Sequence, residues 1–288
     1  MGLIGLGNMG TAIGERLLDA GYPLVVNNRN RAKADAFGAL GAAVAATPED
    51  LVAQVDVVLT SLADDEAFEE VAGRVVAAAP PGTVLVDMST VSPNASARVA
   101  SLAELASVRY LRAPVSGNPS VVRAGNLSFI VSGARETFDD VEAVIRAIGP
   151  TSHHVGEGEQ ARIVKLAINL MIAVLAQVMS EALVLAEASG VSRAVLLEVM
   201  ASSAAGAPFV KYKTDALLRD DFSATFTTAL MEKDIDLVLN AAAEAGVELP
   251  LAREMKAHLH AAIDAGYGDD DFIALFLHLR SAPKEVVQ

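Results

Sequence analysis

Residues 1–29, MGLIGLGNMGTAIGERLLDAGYPLVVNNR, decide the fold. MGLIGL reads as a short apolar strand, NMGTAIGERLLDAG as a helix ending at Gly21, and PLVVNN as a second strand. The first strand runs directly into Gly5-x-Gly7-x-x-Gly10 at the mouth of the helix. In that context Gly5 permits a tight turn, Gly7 lets a pyrophosphate approach the backbone, and Gly10 lets helix and strand pack closely. The phosphate would rest on the helix N-terminus, so Asn8 and Met9 count with the three glycines as cofactor-binding residues. Glycine-rich turns also arise for backbone reasons alone. Placement at the first strand of a βαβ unit is what turns the pattern into a dinucleotide signature.

The end of the second strand separates the two nicotinamide cofactors. An NAD site places Asp or Glu there to hold the ribose diol. This chain has Asn27, Asn28, Arg29, Asn30 and Arg31, with no carboxylate before Asp35. A guanidinium suits a 2′-phosphate, and a charge-assisted contact of about 1.5–3 kcal/mol corresponds to roughly ten- to hundredfold preference. NADP(H) is therefore expected over NAD(H), with Asn28, Arg29 and Asn30 lining its ribose end. The alternative is a solvated basic turn that tolerates both cofactors.

Continuous apolar runs follow at VDVVLTSL, TVLVDMS, VRYLRAPV and LSFIVSG, with helical segments between them. Such runs mark strands covered on both faces, as in a parallel sheet between helices. Residues 1–160 are expected to form a doubly wound (Rossmann) α/β domain. From Ala161 the strand signal vanishes. Residues 162–190, 192–204, 207–219, 227–246 and 249–266 read as helices, with a last one near 270–280, punctuated by Gly190, Gly206, Gly246 and Gly266. Residues 161–288 are thus expected to form an all-α domain, joined to the first by a long interdomain helix.

That helix carries Lys165 and Asn169 in the apolar stretch IVKLAINLMIAVLAQVM. Positions i and i+4 share a helix face, so an amine and an amide project side by side. An unpaired charge buried on an apolar helix costs several kcal/mol, so the pair is expected to serve a function. Its place at the domain joint puts Lys165 at a cleft, where ligand sites usually form. The plainer reading is a lysine snorkelling from a helix start, with Asn169 bonded to nearby backbone.

With 52% hydrophobic and 20% charged residues, the 288-residue chain is long enough for two real cores. Zero cysteines exclude disulfides, thiolate zinc sites and cysteine nucleophiles. A net charge of −14 argues against nucleic acid as a partner. No signal peptide is apparent at the start. Lys165 and Glu181 bracket the apolar helix and Asn169 and Gln177 interrupt it, so it is expected to be buried in a cytoplasmic protein rather than to span a membrane. His153 and His154 lack a third ligand for a metal. Asp269, Asp270 and Asp271 lack calcium-loop spacing and suit a helix N-cap instead. Met171, Met179 and Met200 are expected to fill core.

Four blocks then align with one family: GLIGLGNMG (2–10), DMSTVSP (87–93), APVSGNPSVVRAGNLSFIVSG (113–133) and GEGEQARIVKLAINL (156–170), with MEKDIDL (231–237) as a fifth. In order and spacing they resemble the β-hydroxyacid dehydrogenases, the family of 3-hydroxyisobutyrate dehydrogenase and tartronate semialdehyde reductase. The resemblance implies that Lys165 is the catalytic acid/base and that Asn169 orients substrate. It puts Ser116, Gly117 and Asn118 on the loop that holds the substrate carboxylate. Ser89 and Thr90 would lie beside the nicotinamide ribose, and Lys233 would close over cofactor or substrate. Two departures bear on the substrate. The familiar Asp-Ala-Pro-Val-Ser-Gly-Gly is Arg112-Ala113-Pro114-Val115-Ser116-Gly117-Asn118 in this chain, followed by Pro119. Asn118 and Pro119 add bulk and remove a donor, and Arg112 replaces a negative residue beside the site. Arg123 could meet an anion or simply sit on the surface.

The reading that follows is an NADP(H)-dependent reductase of a small anionic semialdehyde or oxo-acid, or the reverse oxidation of a β-hydroxy acid. An imine reductase of related architecture is the nearest rival, and a non-catalytic NADPH sensor the alternative from another class. Retention of Lys165 favours carbonyl chemistry, in which an alkoxide must be protonated. Phe209, Phe222 and Phe226 are candidates for shaping the pocket. The very apolar long helix points to a homodimer or homotetramer.

Overall fold

Hydrophobic runs after each turn build strands, and the amphipathic segments between them build helices that cover the sheet. In the computed structural model, which describes residues 1–281, the first half alternates as the sequence predicts. Its elements are β1 (Gly2–Ile4), α1 (Asn8–Asp19), β2 (Val25–Asn27), α2 (Arg31–Ala39), β3 (Ala43–Val44), α3 (Pro48–Val52), β4 (Val57–Thr60), α4 (Asp65–Ala78), β5 (Val84–Asp87), α5 (Pro93–Leu105) and β6 (Arg109–Arg112). After them come β7 (Val115–Ser116), α6 (Pro119–Arg123), β8 (Ser128–Ser132), α7 (Arg135–Ile148) and β9 (Thr151–Gly156). The sheet order is β3-β2-β1-β4-β5-β6-β8-β7, with β9 on the far side of β8. The order reverses between β1 and β4, so a crevice opens at the carboxyl ends of those strands, where doubly wound sheets bind ligands.

Alternate residues of the central strands feed two cores. Leu3, Leu59 and Val86 join Ile13 and Leu17 of α1 and Val141 of α7 on one face. Ile4, Val58 and Leu85 join Val52 of α3, Phe68 of α4 and Val99 of α5 on the other. Each fully buried aliphatic side chain contributes about 1.5–3 kcal/mol.

The expected doubly wound parallel sheet is present, with an antiparallel strand near one end. β1 to β6 pair in parallel, β8 pairs antiparallel with β6 and β7, and β9 returns to parallel pairing on β8. VRYLRAPV is also two strands, because Pro114 lies between β6 and β7 and cannot donate to a ladder. β9 escapes the apolar pattern. Its TSHHVG residues lie on β8 in parallel register and are mostly half-exposed, as suits a strand with one flank covered.

The chain folds as two compact units, Met1–Lys165 and from Leu166 onward. The second is helical: the greater part of α8 (Gln160–Ala188), then α9 (Arg193–Ser202), α10 (Pro208–Leu218), α11 (Thr228–Glu244), α12 (Pro250–Ala262) and α13 (Leu275–Ser281). Its core includes Met179 and Leu183 of α8, Phe209 of α10, Ile235 of α11 and Phe276 of α13. Phe209 is buried there, with Phe222 and Phe226 packed partly buried against the same cluster. Lys213 is buried and pairs with Asp271 at 2.6 Å, while Asp271 also caps the short turn at Phe272–Ala274. Burial holds the Lys213 amine below its ordinary value, against the pull of Asp271.

α8 is not the wholly buried helix expected. By length and composition it could cross a membrane, yet only 39% of its most apolar window is buried. Met179 fills core as expected, Met200 is only partly buried, and Met171 does not fill core at all, being 72% exposed. Buried Asn169, Gln177 and Ser180 make one flank of the helix polar.

Candidate active site

The glycine turn fits a dinucleotide diphosphate. Gly5 has a φ of +94°, which L-residues rarely adopt. A Cβ on Gly10 would lie 1.9 Å from the Gly5 carbonyl oxygen, so only glycine allows α1 to start this close to β1. At Gly7 a Cβ would meet nothing within 4 Å, so this side of the turn is an open cradle. Gly7 and Asn8 are exposed and Met9 half-buried. No side chain caps α1, and the first intrahelical donor is Thr11 N to Gly7 O at 2.8 Å. The N–H groups at the start of α1 are therefore presented to an anion.

Beyond β2, two of the three predicted ribose residues are already committed. Asn28 Oδ1 accepts from Leu6 N at 2.9 Å, and Asn28 Nδ2 donates to Asn30 O at 3.0 Å. Asn30 caps α2 by accepting from Ala32 N at 3.1 Å. Both amides brace the turn. Arg31 pairs with Asp35 at 2.8 Å, which leaves the exposed Arg29 as the arginine of this turn with no ion pair among the described residues.

Ser89 is likewise fixed in place. Its hydroxyl donates to Asp87 Oδ1 at 2.6 Å and accepts from Leu62 N at 2.9 Å. Thr60 Oγ1 donates to the same carboxylate oxygen at 2.5 Å. Thr90, the next residue, is half-buried. The other Asp87 oxygen receives Arg162 Nη2 at 2.5 Å. Arg162, only 1% exposed, also donates to Ser89 O (2.7 Å), Tyr110 Oη (2.9 Å) and Ser96 Oγ (3.2 Å). Burial opposes its charge, but Tyr110 and Asp87 outweigh that and hold the guanidinium protonated well above its ordinary range. Burial also pushes the Tyr110 phenol up, with Arg162 pulling the other way.

On the substrate loop, Ser116 ends β7 and is half-buried, and Gly117 has a φ of +141°. Asn118 is not simply added bulk. Its Oδ1 accepts from Val121 N at 3.0 Å and from Ser120 Oγ at 2.6 Å, capping α6, while Pro119 takes the first helical turn, where no N–H is needed. Arg112 is not a free positive charge either. It is buried, donates to Glu159 Oε1 through Nε (2.8 Å) and through Nη2, and stacks 4.6 Å over Tyr110. Arg123 is exposed and pairs with Glu15 at 3.0 Å.

Lys165 is half-buried on α8, one turn before the buried Asn169. Asn169 Nδ2 donates to Asp234 Oδ2 at 2.5 Å, and Lys233 Nζ lies 2.9 Å from Asp234 Oδ1. Asp234 is fully buried and holds Asn169 and Lys233 together in the helical unit. Sequence reasoning missed Arg162, Asp87 and Glu159 as site-building residues, and saw Asp234 only as a partner for Lys233. Arg162 had a usable signal, a charge three residues before Lys165 at the head of an apolar run. His154 Nε2 donates to Gly133 O at 2.8 Å, and no group of three or more His, Cys, Asp or Glu side chains among the described residues could hold a metal ion.

Residues 1–156 match the family described as the NAD-binding domain of 6-phosphogluconate dehydrogenase. Residues 159–279 match the NAD-binding domain of NADP-dependent 3-hydroxyisobutyrate dehydrogenase. A probable 3-hydroxyisobutyrate dehydrogenase of Mycobacterium tuberculosis is 33% identical over 287 residues, covering 96% of this chain and 97% of that one. The solved Mycobacterium tuberculosis 3-hydroxyisobutyrate dehydrogenase with L-serine is 31% identical, with a TM-score of 0.87 over 97% of this chain and 98% of that one. A reductive aminase from Aspergillus terreus, solved with NADPH4, cyclohexanone and allyl amine, reaches 0.61 at 26% identity over 97% and 98%. A glycine cradle shaped for a diphosphate, a lysine and asparagine one turn apart on the long helix, and full-length similarity to hydroxyacid dehydrogenases lead to one assignment: this chain is an oxidoreductase of the β-hydroxyacid dehydrogenase family that binds a nicotinamide dinucleotide.

Proposed function

We propose that the protein is an NADP(H)-dependent oxidoreductase interconverting a small β-hydroxy acid and its semialdehyde, with Lys165 as general acid/base. The observation that carries this reading is the pair on α8: half-buried Lys165 followed one turn later by Asn169, whose amide is held by buried Asp234. A bound nicotinamide would supply hydride to the carbonyl carbon, or take it from the alcohol carbon. Lys165, as an ammonium, gives its proton to the carbonyl oxygen in reduction; as an amine it accepts the hydroxyl proton in oxidation. Asn169, its Nδ2 engaged by Asp234, keeps its carbonyl oxygen and second N–H for orienting substrate. Ser116 and the Gly117 backbone offer small donors for a carboxylate. Lys233 adds a cation, already shared with Asp234.

The first experiment is cofactor oxidation with purified protein across small carboxylated aldehydes and cyclic imines, with NADPH and NADH in parallel. Aldehyde turnover that falls at least ~10²-fold in Lys165→Ala, with NADPH still bound, is the expected result. Turnover of imines alone would replace the reading with imine reduction, a chemistry made relevant by the likeness to the reductive aminase. Tight NADPH binding without turnover of any of these compounds would favour a sensor.

We further propose that the protein works as a homo-oligomer built on the exposed stripe of α8. Ala167, Met171, Val174, Val178 and Leu185 recur at alternating steps of four and three residues, with Glu181 keeping the register before Leu185. Met171, Val178 and Leu185 are 72%, 55% and 69% exposed, an apolar strip interrupted by Glu181 rather than scattered surface residues. A second copy offers the same strip and would bury both.

A further inference from the structure

Lys165 needs to be held where a proton can pass to or from substrate, and nothing in an apolar helix alone fixes its rotation to better than the packing allows. The first turn of α8 is fixed by two arginine–carboxylate pairs. Glu159, immediately before the helix, accepts from Arg112 at the carboxyl end of β6. Arg162, in the first turn, reaches Asp87 at the carboxyl end of β5. Arg162, Lys165 and Asn169 stand at i, i+3 and i+7, so they share one side of the helix. Four donor contacts from one guanidinium fix its plane and position, which fixes the azimuth of the turn that carries it. The same guanidinium holds the Ser89 carbonyl, while Asp87 holds the Ser89 hydroxyl and Thr60.

We propose that Arg162 is a positioning residue for Lys165. Clamped between Asp87, Tyr110, Ser96 and the Ser89 carbonyl, it ties the rotation of the first turn of α8, up to Lys165, to the segment after β5 that carries Ser89 and Thr90. This rests on the reading of Lys165 as acid/base. A role in stability alone would lower the amount of folded enzyme and leave each folded molecule as fast as before. A positioning role slows the chemical step in molecules that are fully folded, since a misplacement of about 1 Å can cost on the order of 10²-fold.

Arg162→Lys keeps a cation beside Asp87 but cannot reach Ser89, Ser96 and Tyr110 together. Tyr110→Phe keeps the ion pair and the ring and removes one acceptor. Both are compared with wild type for kcat, KM, NADPH affinity and the primary isotope effect with deuterated NADPH, on active folded protein and again in a Lys165→Ala background. The expected result for Arg162→Lys is a kcat lowered about 10- to 100-fold, a raised isotope effect and an NADPH affinity changed far less. For Tyr110→Phe it is a several-fold fall in kcat with the same sign on the isotope effect. Neither variant should slow Lys165→Ala further, because residues acting through one group are not additive. Equal losses with and without Lys165, or wild-type kcat and isotope effect in folded Tyr110→Phe, would overturn the proposal, the latter even if Arg162→Lys fails to fold. Wild-type turnover by Lys165→Ala itself would instead remove the parent reading, a result recognisable before either variant is made.

Discussion

An arginine just past β2 can select a 2′-phosphate only if its guanidinium is not already taken. Asn28 and Asn30 spend their side chains on the turn and Arg31 spends its charge on Asp35, so under the proposed preference for NADP(H) the contact with a 2′-phosphate falls to Arg29. Arg29→Ser should weaken NADPH binding roughly ten- to hundredfold, for a charge-assisted contact of about 1.5–3 kcal/mol, and leave NADH nearly unchanged. Titration of both cofactors by fluorescence checks this. Equal losses for both would assign Arg29 to the turn rather than to the phosphate. The buried pairs behave differently. Losing Asp87 alone would strand the Arg162 charge at a cost of about 3–5 kcal/mol. The exposed Arg123–Glu15 pair should contribute at most about 1 kcal/mol.

Among the elements, the short helix α6 governs the shape of the Ser116–Gly117 turn. It has five residues, too few to persist unaided, and it depends on Asn118 as cap and Pro119 as first residue. Asn118→Ala should cost about 1 kcal/mol and lower the melting midpoint by roughly 2–4 °C, whereas Asn118→Ser should restore most of it. Differential scanning calorimetry separates the two. If Ala and Ser melt together, the cap is not what holds the turn. If the turn also grips the substrate carboxylate, KM should rise in the alanine variant more than kcat falls.

For the molecule as a whole, the apolar strip of α8 needs either a partner or the toleration of a large wet hydrophobic face. Introducing lysine at both Met171 and Val178 places two charges in the middle of the strip, where desolvating them would be prohibitive. Light scattering on the purified protein should give a dimer or tetramer for wild type and a monomer for this variant, which should stay folded because both side chains are exposed. A monomeric wild type at micromolar concentration would end the oligomer proposal. The net charge of −14 makes self-association of a polar face unfavourable, so any stable contact should centre on the Met171–Val178 part of this strip, which carries no charge.

The division between a doubly wound first half and a helical second half was legible because it depends on local rules. Apolar runs, glycine spacing and the loss of strand signal near Ala161 are properties of neighbours along the chain. The turn geometry at Gly5, Gly7 and Gly10 was legible for the same reason, since a tight turn, an open flank and a close packing contact are set by residues without side chains at a fixed spacing. The reversed strand β8 and the polar strand β9 could not be read, because strand direction and edge pairing depend on which strands meet, not on their composition. Nor could the fate of the charges. Arg112 and Glu159 are 47 residues apart, and Arg162 and Asp87 are 75. Only folding brings a guanidinium within bonding distance of its carboxylate, and only that distance separates a neutralised clamp from a free cation. Met171 shows the same limit: an apolar residue on an apolar helix is core or interface according to what packs against it, and the tertiary structure leaves it uncovered within one chain.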